Sequence, residues 1–169
     1  MLNERYTPLQ LHNQTMIQTP GRAILRYNYG EYAKARQLFK ESLDVDPNQP
    51  DTLFNLGTCL LFEKNFQSAV QRYKQTLALD PHHTDAMINI GNLMASHLGQ
   101  KEQAIEYLRK ATSLSDDCEA RFNLAAILES TGRLPEALEQ YQLALKGGVA
   151  RAEENIRAVE LKLQKGSDN

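Results

Sequence analysis

Cysteine is scarce in this chain. Cys59 and Cys118 are its only two cysteines, and two are too few for the framework of a disulfide-stapled secreted domain. The sequence therefore predicts a reducing environment, either the cytoplasm or another reducing intracellular compartment. Association with an organelle or a cilium is left open.

Neither sign of charge dominates, and long hydrophobic runs are missing. The 19 basic and 21 acidic residues give a net charge of −2. This balance argues against nucleic acid or an anionic membrane surface as the partner. No run approaches the roughly 20 apolar residues that span a bilayer, so no direct membrane insertion is expected. The N-terminus also lacks the basic and apolar regions of a secretory signal.

Motifs that carry catalysis or bind cofactors are missing too. The sequence has no glycine-rich phosphate loop, nucleophile elbow or paired-carboxylate arrangement. His82 and His83 are adjacent, with no cysteine or carboxylate at metal-ligand spacing, and are predicted to be solvated turn residues. Cys59 falls on an apolar stripe and is predicted to be a buried small hydrophobe. We expect no enzymatic activity, no metal and no cofactor.

What the sequence does contain is an internal repeat. Asn55, Asn89 and Asn123 are 34 residues apart twice over, and each precedes a leucine or isoleucine and then a glycine or alanine. Small residues and large apolar residues recur in phase with them, at Ala35, Ala69, Ala104 and Ala137, and at Phe39, Tyr73, Leu108 and Tyr141. The apolar spacing within each unit is three or four residues, which predicts a helix, a tight turn and a second helix. The chain is therefore predicted to be all-α.

This pattern resembles the tetratricopeptide repeat family. The stretch "LFNLGTCLLFEKNFQSAVQRYKQTLALDP" carries nearly every position of the 34-residue signature, and the resemblance covers roughly residues 19–148. It implies a right-handed superhelix, an α–α solenoid, whose first helices line a concave groove. The predicted segments are an N-terminal arm at 1–18, repeats at 19–48, 49–82, 83–117 and 118–148, a capping helix at 149–165 and a disordered tail at 166–169.

Small residues inside the repeat predict close helix crossings. Gly57 and Gly91 occupy the position where the first helix of a unit meets the second. We expect any larger side chain there to clash with the partner helix.

The recurring asparagines are predicted to face the groove. If the leucine and glycine that follow each asparagine pack inward, helical geometry turns the asparagine about 100° away from the leucine. A side-chain amide carries a donor and an acceptor, so it can pair with an extended peptide backbone of any sequence. The alternative is that each amide only satisfies a neighbouring turn. The predicted groove residues are Asn55, Asn89, Asn123, Asp51, Phe54, Thr58, Phe62, Asp85, Ile88, Asn92, Ser96, Glu119 and Phe122.

The same positions argue against one subtype of the family. The carboxylate clamp that grips the acidic C-termini of heat-shock chaperones needs lysine and arginine on the concave face. Here Asp51, Asp85 and Glu119 stand at those positions and would repel an acidic tail. The resemblance thus implies an adaptor or scaffold that binds another protein or peptide segment in its groove. The alternative is a structural subunit of a larger multiprotein assembly, held through its convex face, its edges and its N-terminal arm.

Overall fold

The computed structural model describes residues 19–167, and these form helices without any strand. They divide into two compact units after Pro81. The first unit contains α1 (19–28), α2 (Tyr32–Val45), α3 (Pro50–Phe62) and α4 (Phe66–Leu79). The second contains α5 (Thr84–Ser96), α6 (Lys101–Leu114), α7 (Cys118–Ser130), α8 (Leu134–Lys146) and α9 (Ala152–Ser167). The predicted all-α class is confirmed, while the predicted arm at 1–18 lies outside the described residues.

Successive helices pack as hairpins within each unit. Helix α3 packs on α4, α5 on α6, and α7 on α8. The turns 63–65 and 131–133 have three residues, whereas 97–100 has four and accommodates the extra residue of that repeat. Two first-turn amides are capped by side chains: Asn65 accepts from the Ser68 N–H at 3.4 Å, and Asp117 from the Ala120 N–H at 2.9 Å. Such caps satisfy backbone donors that the helix leaves unpaired.

His83 also acts as a helix cap, which corrects its prediction as a solvated turn residue. Its Nδ1 accepts a hydrogen bond from the Ala86 N–H at 3.2 Å, at the start of α5. The free first turn of a helix offers unpaired N–H groups to any nearby acceptor. The imidazole therefore takes the role that Asn65 and Asp117 fill at other helices.

The predicted close crossings are confirmed at both glycines. A Cβ on Gly57 would lie 2.7 Å from Tyr73 Cε1, and a Cβ on Gly91 would lie 2.6 Å from Leu108 Cγ. Both neighbouring side chains are fully buried. Cys59, also on α3, is buried as predicted, and this burial raises the pKa of its thiol to about 11.

The last helix differs from its predicted range at both ends. Gly148 has a φ of 100°, and the short turn after it delays the start of α9 from 149 to Ala152. Val149 in this turn is nevertheless buried. At the other end α9 runs to Ser167, so residues 166 and 167 of the predicted tail are helical. The remaining tail residues, 168 and 169, lie outside the described chain.

Candidate functional site

The three repeated asparagines occupy the same position on α3, α5 and α7. The residue after each of them, Leu56, Ile90 or Leu124, is buried in its hairpin. Asn55, Asn89 and Asn123 are themselves half-buried. Asn55 belongs to the first unit, and the other two belong to the second, where α5 contacts α7 directly.

The amides of these asparagines are not used inside the fold. No hydrogen bond to the side chain of Asn55, Asn89 or Asn123 forms within residues 19–167. The alternative is that each amide bonds a neighbouring turn, and no such hydrogen bond forms in this part of the chain. A half-buried amide without a partner is costly unless water or a ligand pairs with it. Within residues 19–167 these three amides therefore keep their hydrogen-bonding groups unused.

Part of the predicted groove lines an open depression between α5 and α7. Its volume is about 320 Å³, and its lining residues are Asn92, Ala95, Ser96, Asn123, Ala126 and Ile127. No charged side chain is among them. Three of the predicted groove residues, Asn92, Ser96 and Asn123, are thus brought together around one cavity. We call this cavity the α5/α7 pocket.

On the first unit, three predicted groove residues make contacts within the fold. The half-buried Phe54 ring lies against the Tyr73 ring at 5.4 Å. Thr58 Oγ1 accepts a hydrogen bond from the Tyr73 hydroxyl at 3.2 Å and donates to the Phe54 carbonyl at 3.0 Å. Phe62, which is 50% exposed, stacks on Tyr32 at 4.4 Å between ring centroids. Asp51 lies exposed in the first turn of α3.

On the second unit, Glu119 and Phe122 are engaged by an arginine from outside the repeats. Arg151 forms a two-pronged ion pair with Glu119, one arm of which measures 3.1 Å. Its guanidinium also lies 4.3 Å from the centre of the Phe122 ring. This pairing offsets the negative charge that the sequence places at Glu119. On α5, Ile88 is half-buried and Asp85 is exposed in the first turn.

A fourth asparagine, not predicted from the sequence, follows the same pattern on α9. Asn155 precedes Ile156 and stands 32 residues after Asn123, so the shorter spacing hides it from a search at 34. Its helix matches α7 in burial, because Ala152 is as fully buried as Ala120. Its amide, however, is occupied: Asn155 Nδ2 donates to the Tyr141 hydroxyl at 3.1 Å.

Tyr141 belongs to a polar network that joins α7, α8 and α9. Its hydroxyl donates to Glu129 Oε2 at 2.9 Å, and Lys162 Nζ donates to Glu129 Oε1 at 2.7 Å. Burial raises the pKa of the Tyr141 phenol, and the Glu129 carboxylate raises it further. The phenol therefore stays protonated and serves as a donor.

Two other depressions lie between second helices of neighbouring hairpins. The one in the first unit has a volume of about 420 Å³ and a mostly apolar lining that includes Leu43, Leu53 and Leu79. The one in the second unit, about 230 Å³, is lined by polar and charged side chains such as Arg121 and Glu136. Neither contains a predicted groove residue.

The described helices supply neither a membrane span nor a metal site. None of the helices within residues 19–167 combines the length and apolar character that crossing a bilayer requires. In the same residues, no three histidine, cysteine, aspartate or glutamate side chains come together as metal ligands would.

Comparison with family profiles identifies the repeats. One tetratricopeptide repeat profile matches residues 60–119, and a second matches residues 98–156. A profile of the coatomer epsilon subunit matches residues 6–84. No curated protein sequence matches the chain significantly.

Solved structures share the fold at low sequence identity. A MamA protein structure is 24% identical, covers 87% of this chain and 81% of its own, and superposes with a TM-score of 0.80. YrrB, described as a tetratricopeptide protein with an unusual peptide-binding site, is 22% identical, with 88% and 78% coverage and a TM-score of 0.79. MamA from Desulfovibrio magneticus RS-1 is 18% identical, with 88% and 85% coverage and a TM-score of 0.79. The two tetratricopeptide repeat profiles, these solved structures and the helical hairpins together confirm the solenoid fold class. The profiles also support a protein–protein interaction module. The chain is a tetratricopeptide repeat protein.

Proposed function

We propose that this protein binds an extended segment of a partner polypeptide along the faces of its first helices. In the second unit the recognition residues would be Asn89 and Asn123, and in the first unit Asn55 would present the corresponding amide. Each amide would donate to a peptide carbonyl and accept from a peptide N–H. Flanking residues such as Ser96 would add sequence preference.

The observation that carries this proposal is the set of unused amides. Asn55, Asn89 and Asn123 form no side-chain hydrogen bond within the described residues, although all three are half-buried. Asn155, the corresponding residue of the last helix, is bonded to Tyr141 instead. Amides without a partner at successive repeats, and an occupied one where the repeats end, are what a backbone-binding surface would require.

The hairpins supply the rigidity that such binding needs. The asparagines extend from helices whose neighbouring residues are fully buried, so their backbone positions are fixed before a ligand arrives. The ordering cost of binding would then fall mainly on the peptide. Tetratricopeptide repeat proteins are generally non-enzymatic scaffolds, and YrrB, which shares the fold, has a peptide-binding site of its own.

The test is a double substitution, Asn89→Ala with Asn123→Ala. Peptide ligands selected on the wild-type protein from a random display library would be titrated by calorimetry. Losing hydrogen bonds worth about 0.5–1.5 kcal/mol each should weaken binding about tenfold or more. The matched control is Gln103→Ala, which removes an exposed amide from α6 and should leave affinity unchanged. Full affinity in a folded double variant would refute the proposal.

A second candidate is a structural subunit of a larger assembly, held through surfaces other than the asparagine faces. The apolar depression of the first unit favours it, because Leu79 at its edge is 42% exposed and available to a partner. The coatomer epsilon profile, which describes a complex subunit, covers this same part of the chain. Crosslinking mass spectrometry in native extract separates the two candidates. Crosslinks at Lys74 on α4 favour the assembly subunit, and crosslinks at Lys162 or Lys101 favour peptide binding by the second unit.

A cytoplasmic or otherwise reducing location is part of the proposal. Both cysteines are free thiols, and Cys59 is fully buried as a hydrophobic side chain. Free thiols form no disulfide, and disulfides are the feature that persists in oxidising compartments. The coatomer epsilon similarity agrees with this location.

A further inference from the structure

The α5/α7 pocket has an unusual feature: its lining lacks the side-chain hydrogen bonds that join the next pair of first helices, α7 and α9. Ala95 lines the pocket from α5. The residue 34 positions later on α7 is Glu129, whose carboxylate is bonded by Lys162 from α9 and by the Tyr141 hydroxyl. One pair of helices is thus closed by a carboxylate and its partners, whereas the other has only a methyl group at that place.

A second difference lies on the neighbouring second helix. Tyr141 of α8 donates to Glu129 and accepts from Asn155, so it occupies the amide of the last helix. The corresponding residue of α6 is Leu108, which is fully buried and has no polar atom in its side chain. Leu108 therefore cannot form with Asn123 the hydrogen bond that Tyr141 forms with Asn155.

The chemistry of the lining limits what can enter. The pocket combines the apolar Ala95, Ala126 and Ile127 with uncharged polar side chains and has no ionic group. A water molecule takes about 30 Å³ of liquid volume, so about 320 Å³ holds one large aliphatic side chain and adjoining backbone. Burying a charged side chain here would be unfavourable because no counter-charge is present.

The charges on the surrounding faces point to one further feature of the ligand. On the second unit, Glu119 is paired with Arg151 and Glu129 with Lys162. Asp85 is exposed in the first turn of α5 and has no ion pair within residues 19–167. Ten residues separate Asp85 from Ala95 on this helix, which is about 15 Å at 1.5 Å per residue. An extended peptide covers that distance in about four or five residues.

We propose that the α5/α7 pocket is an anchor site for an extended peptide that carries a leucine, isoleucine or methionine. The aliphatic side chain fills the pocket while Asn92 and Asn123 bond the peptide backbone on either side of it. A lysine or arginine four or five residues away pairs with Asp85. This inference rests on the proposed function, since it specifies the ligand of the same surface.

Defined peptides test the ligand chemistry. The probe is a capped ten-residue glycine–serine peptide with one leucine and one lysine five positions apart, titrated into ¹⁵N-labelled full-length protein. The NMR readout is the side-chain amide resonances of Asn92 and Asn123. Replacing the leucine by alanine should weaken binding about tenfold, because several methylenes lose their burial. Replacing the lysine by serine should weaken it about two- to fivefold at low salt and not at about 0.5 M salt.

Protein variants test the place of binding. Ala126→Leu should fill the pocket and bring the leucine and alanine peptides to equal affinity. Ser96→Phe, at an exposed position of the same lining, provides the same test with little risk to the core. Ala158→Leu is the matched control, because Ala158 is exposed at the corresponding position of α9. Asp85→Asn should remove only the effect of the peptide lysine.

The outcomes separate this inference from the proposed function. In the Asn89→Ala, Asn123→Ala variant every peptide should weaken by a similar factor, while the preference for leucine over alanine persists. Undiminished affinity with a persistent preference would refute amide recognition, including the Asn123 bond, and support only the aliphatic anchor in the pocket. Equal affinity of both peptides for the wild-type protein, or a preference that survives in folded Ala126→Leu and Ser96→Phe, would overturn the anchor site. So would unchanged amide resonances with every peptide up to about 5 mM.

Discussion

The hairpins α3/α4 and α7/α8 bury the same aromatic residue in two different ways. Tyr73 and Tyr141 stand 68 residues apart, and both are fully buried. Each packs against a phenylalanine of its first helix, Phe54 at 5.4 Å and Phe122 at 5.3 Å between ring centroids. The two ring contacts are common to both hairpins because both follow the repeat. The residues around each tyrosine, in contrast, differ between the hairpins.

The differences concern space and hydrogen bonding. In α3/α4 the ring lies against Gly57, and the hydroxyl donates to Thr58 of its own hairpin. In α7/α8 the glycine is replaced by Ala125, and the Tyr141 hydroxyl donates to Glu129, which also binds Lys162 of α9. The first hairpin therefore requires a residue without a side chain at position 57. The second hairpin instead has a polar network that binds the final helix, α9.

The largest effect is expected where space is the limiting factor. Gly57→Leu would place a Cβ 2.7 Å from Cε1 of Tyr73, whose ring is fully buried. Overpacking of this kind should lower the free energy of unfolding by about 2–3 kcal/mol. The measurement is urea unfolding followed by circular dichroism.

The matched substitution in the other hairpin is Ala125→Gly. It creates no clash and should cost only about 1 kcal/mol, chiefly through the lower helix propensity of glycine. Equal losses in the two variants would show that the glycine crossing is no tighter than the alanine crossing.

An intermediate effect is expected from removing the two hydroxyls. Tyr141→Phe leaves the Glu129 carboxylate, whose side chain is only 17% exposed, and the Asn155 amide each without one partner. The loss should be about 1–2 kcal/mol, because one of the bonds is to a charged group. Tyr73→Phe removes a neutral bond to Thr58, which keeps its bond to the Phe54 carbonyl, and should cost about 0.5–1 kcal/mol.

The pH dependence of stability provides a second measurement for the same pair. Burial raises the pKa of the Tyr141 phenol above that of an unfolded tyrosine. Its contribution to stability is therefore present below about pH 10 and falls as the pH rises above that value. The Tyr141→Phe variant should lose less stability than the wild type in alkaline solution. An identical alkaline slope in both proteins would contradict the assigned environment.

The repeat period made most of the fold predictable from the sequence. Helical spacing and the 34-residue phase give the alternation of helices, and the close crossings at Gly57 and Gly91 follow from residue size alone. These are local properties, since each hairpin repeats the same burial pattern. They also placed Asn89 and Asn123 on a partly exposed face.

What the sequence did not predict depends on contacts between distant residues or on single backbone angles. The pairing of Arg151 with Glu119 joins side chains 32 residues apart, and no periodicity indicates it. The late start of α9 follows from the φ of 100° at Gly148. The Asn155 amide was not predicted because it stands 32 residues after Asn123, outside the 34-residue phase.

The smallest expected effect lies in the turns of the two compared hairpins. Lys64 and Gly132 occupy the same turn position, with φ of 59° and 79°. The hydrogen bonds around them also match, from the Asn65 N–H to the Leu60 carbonyl at 2.8 Å and from the Arg133 N–H to the Leu128 carbonyl at 2.9 Å. Only the α3/α4 turn therefore holds a residue with a Cβ in the left-handed region.

Lys64→Gly should accordingly stabilise the protein, by about 0.5–1 kcal/mol. A left-handed conformation costs a residue with a Cβ about 1–2 kcal/mol, whereas the greater freedom of glycine in the unfolded chain offsets about 0.5–1 kcal/mol of that gain. Gly132→Lys should destabilise by a similar amount, since it reproduces the α3/α4 turn in α7/α8. Thermal unfolding of the two variants gives both values. A loss of stability in Lys64→Gly would mean that the lysine side chain contributes more to this turn than its backbone strain removes.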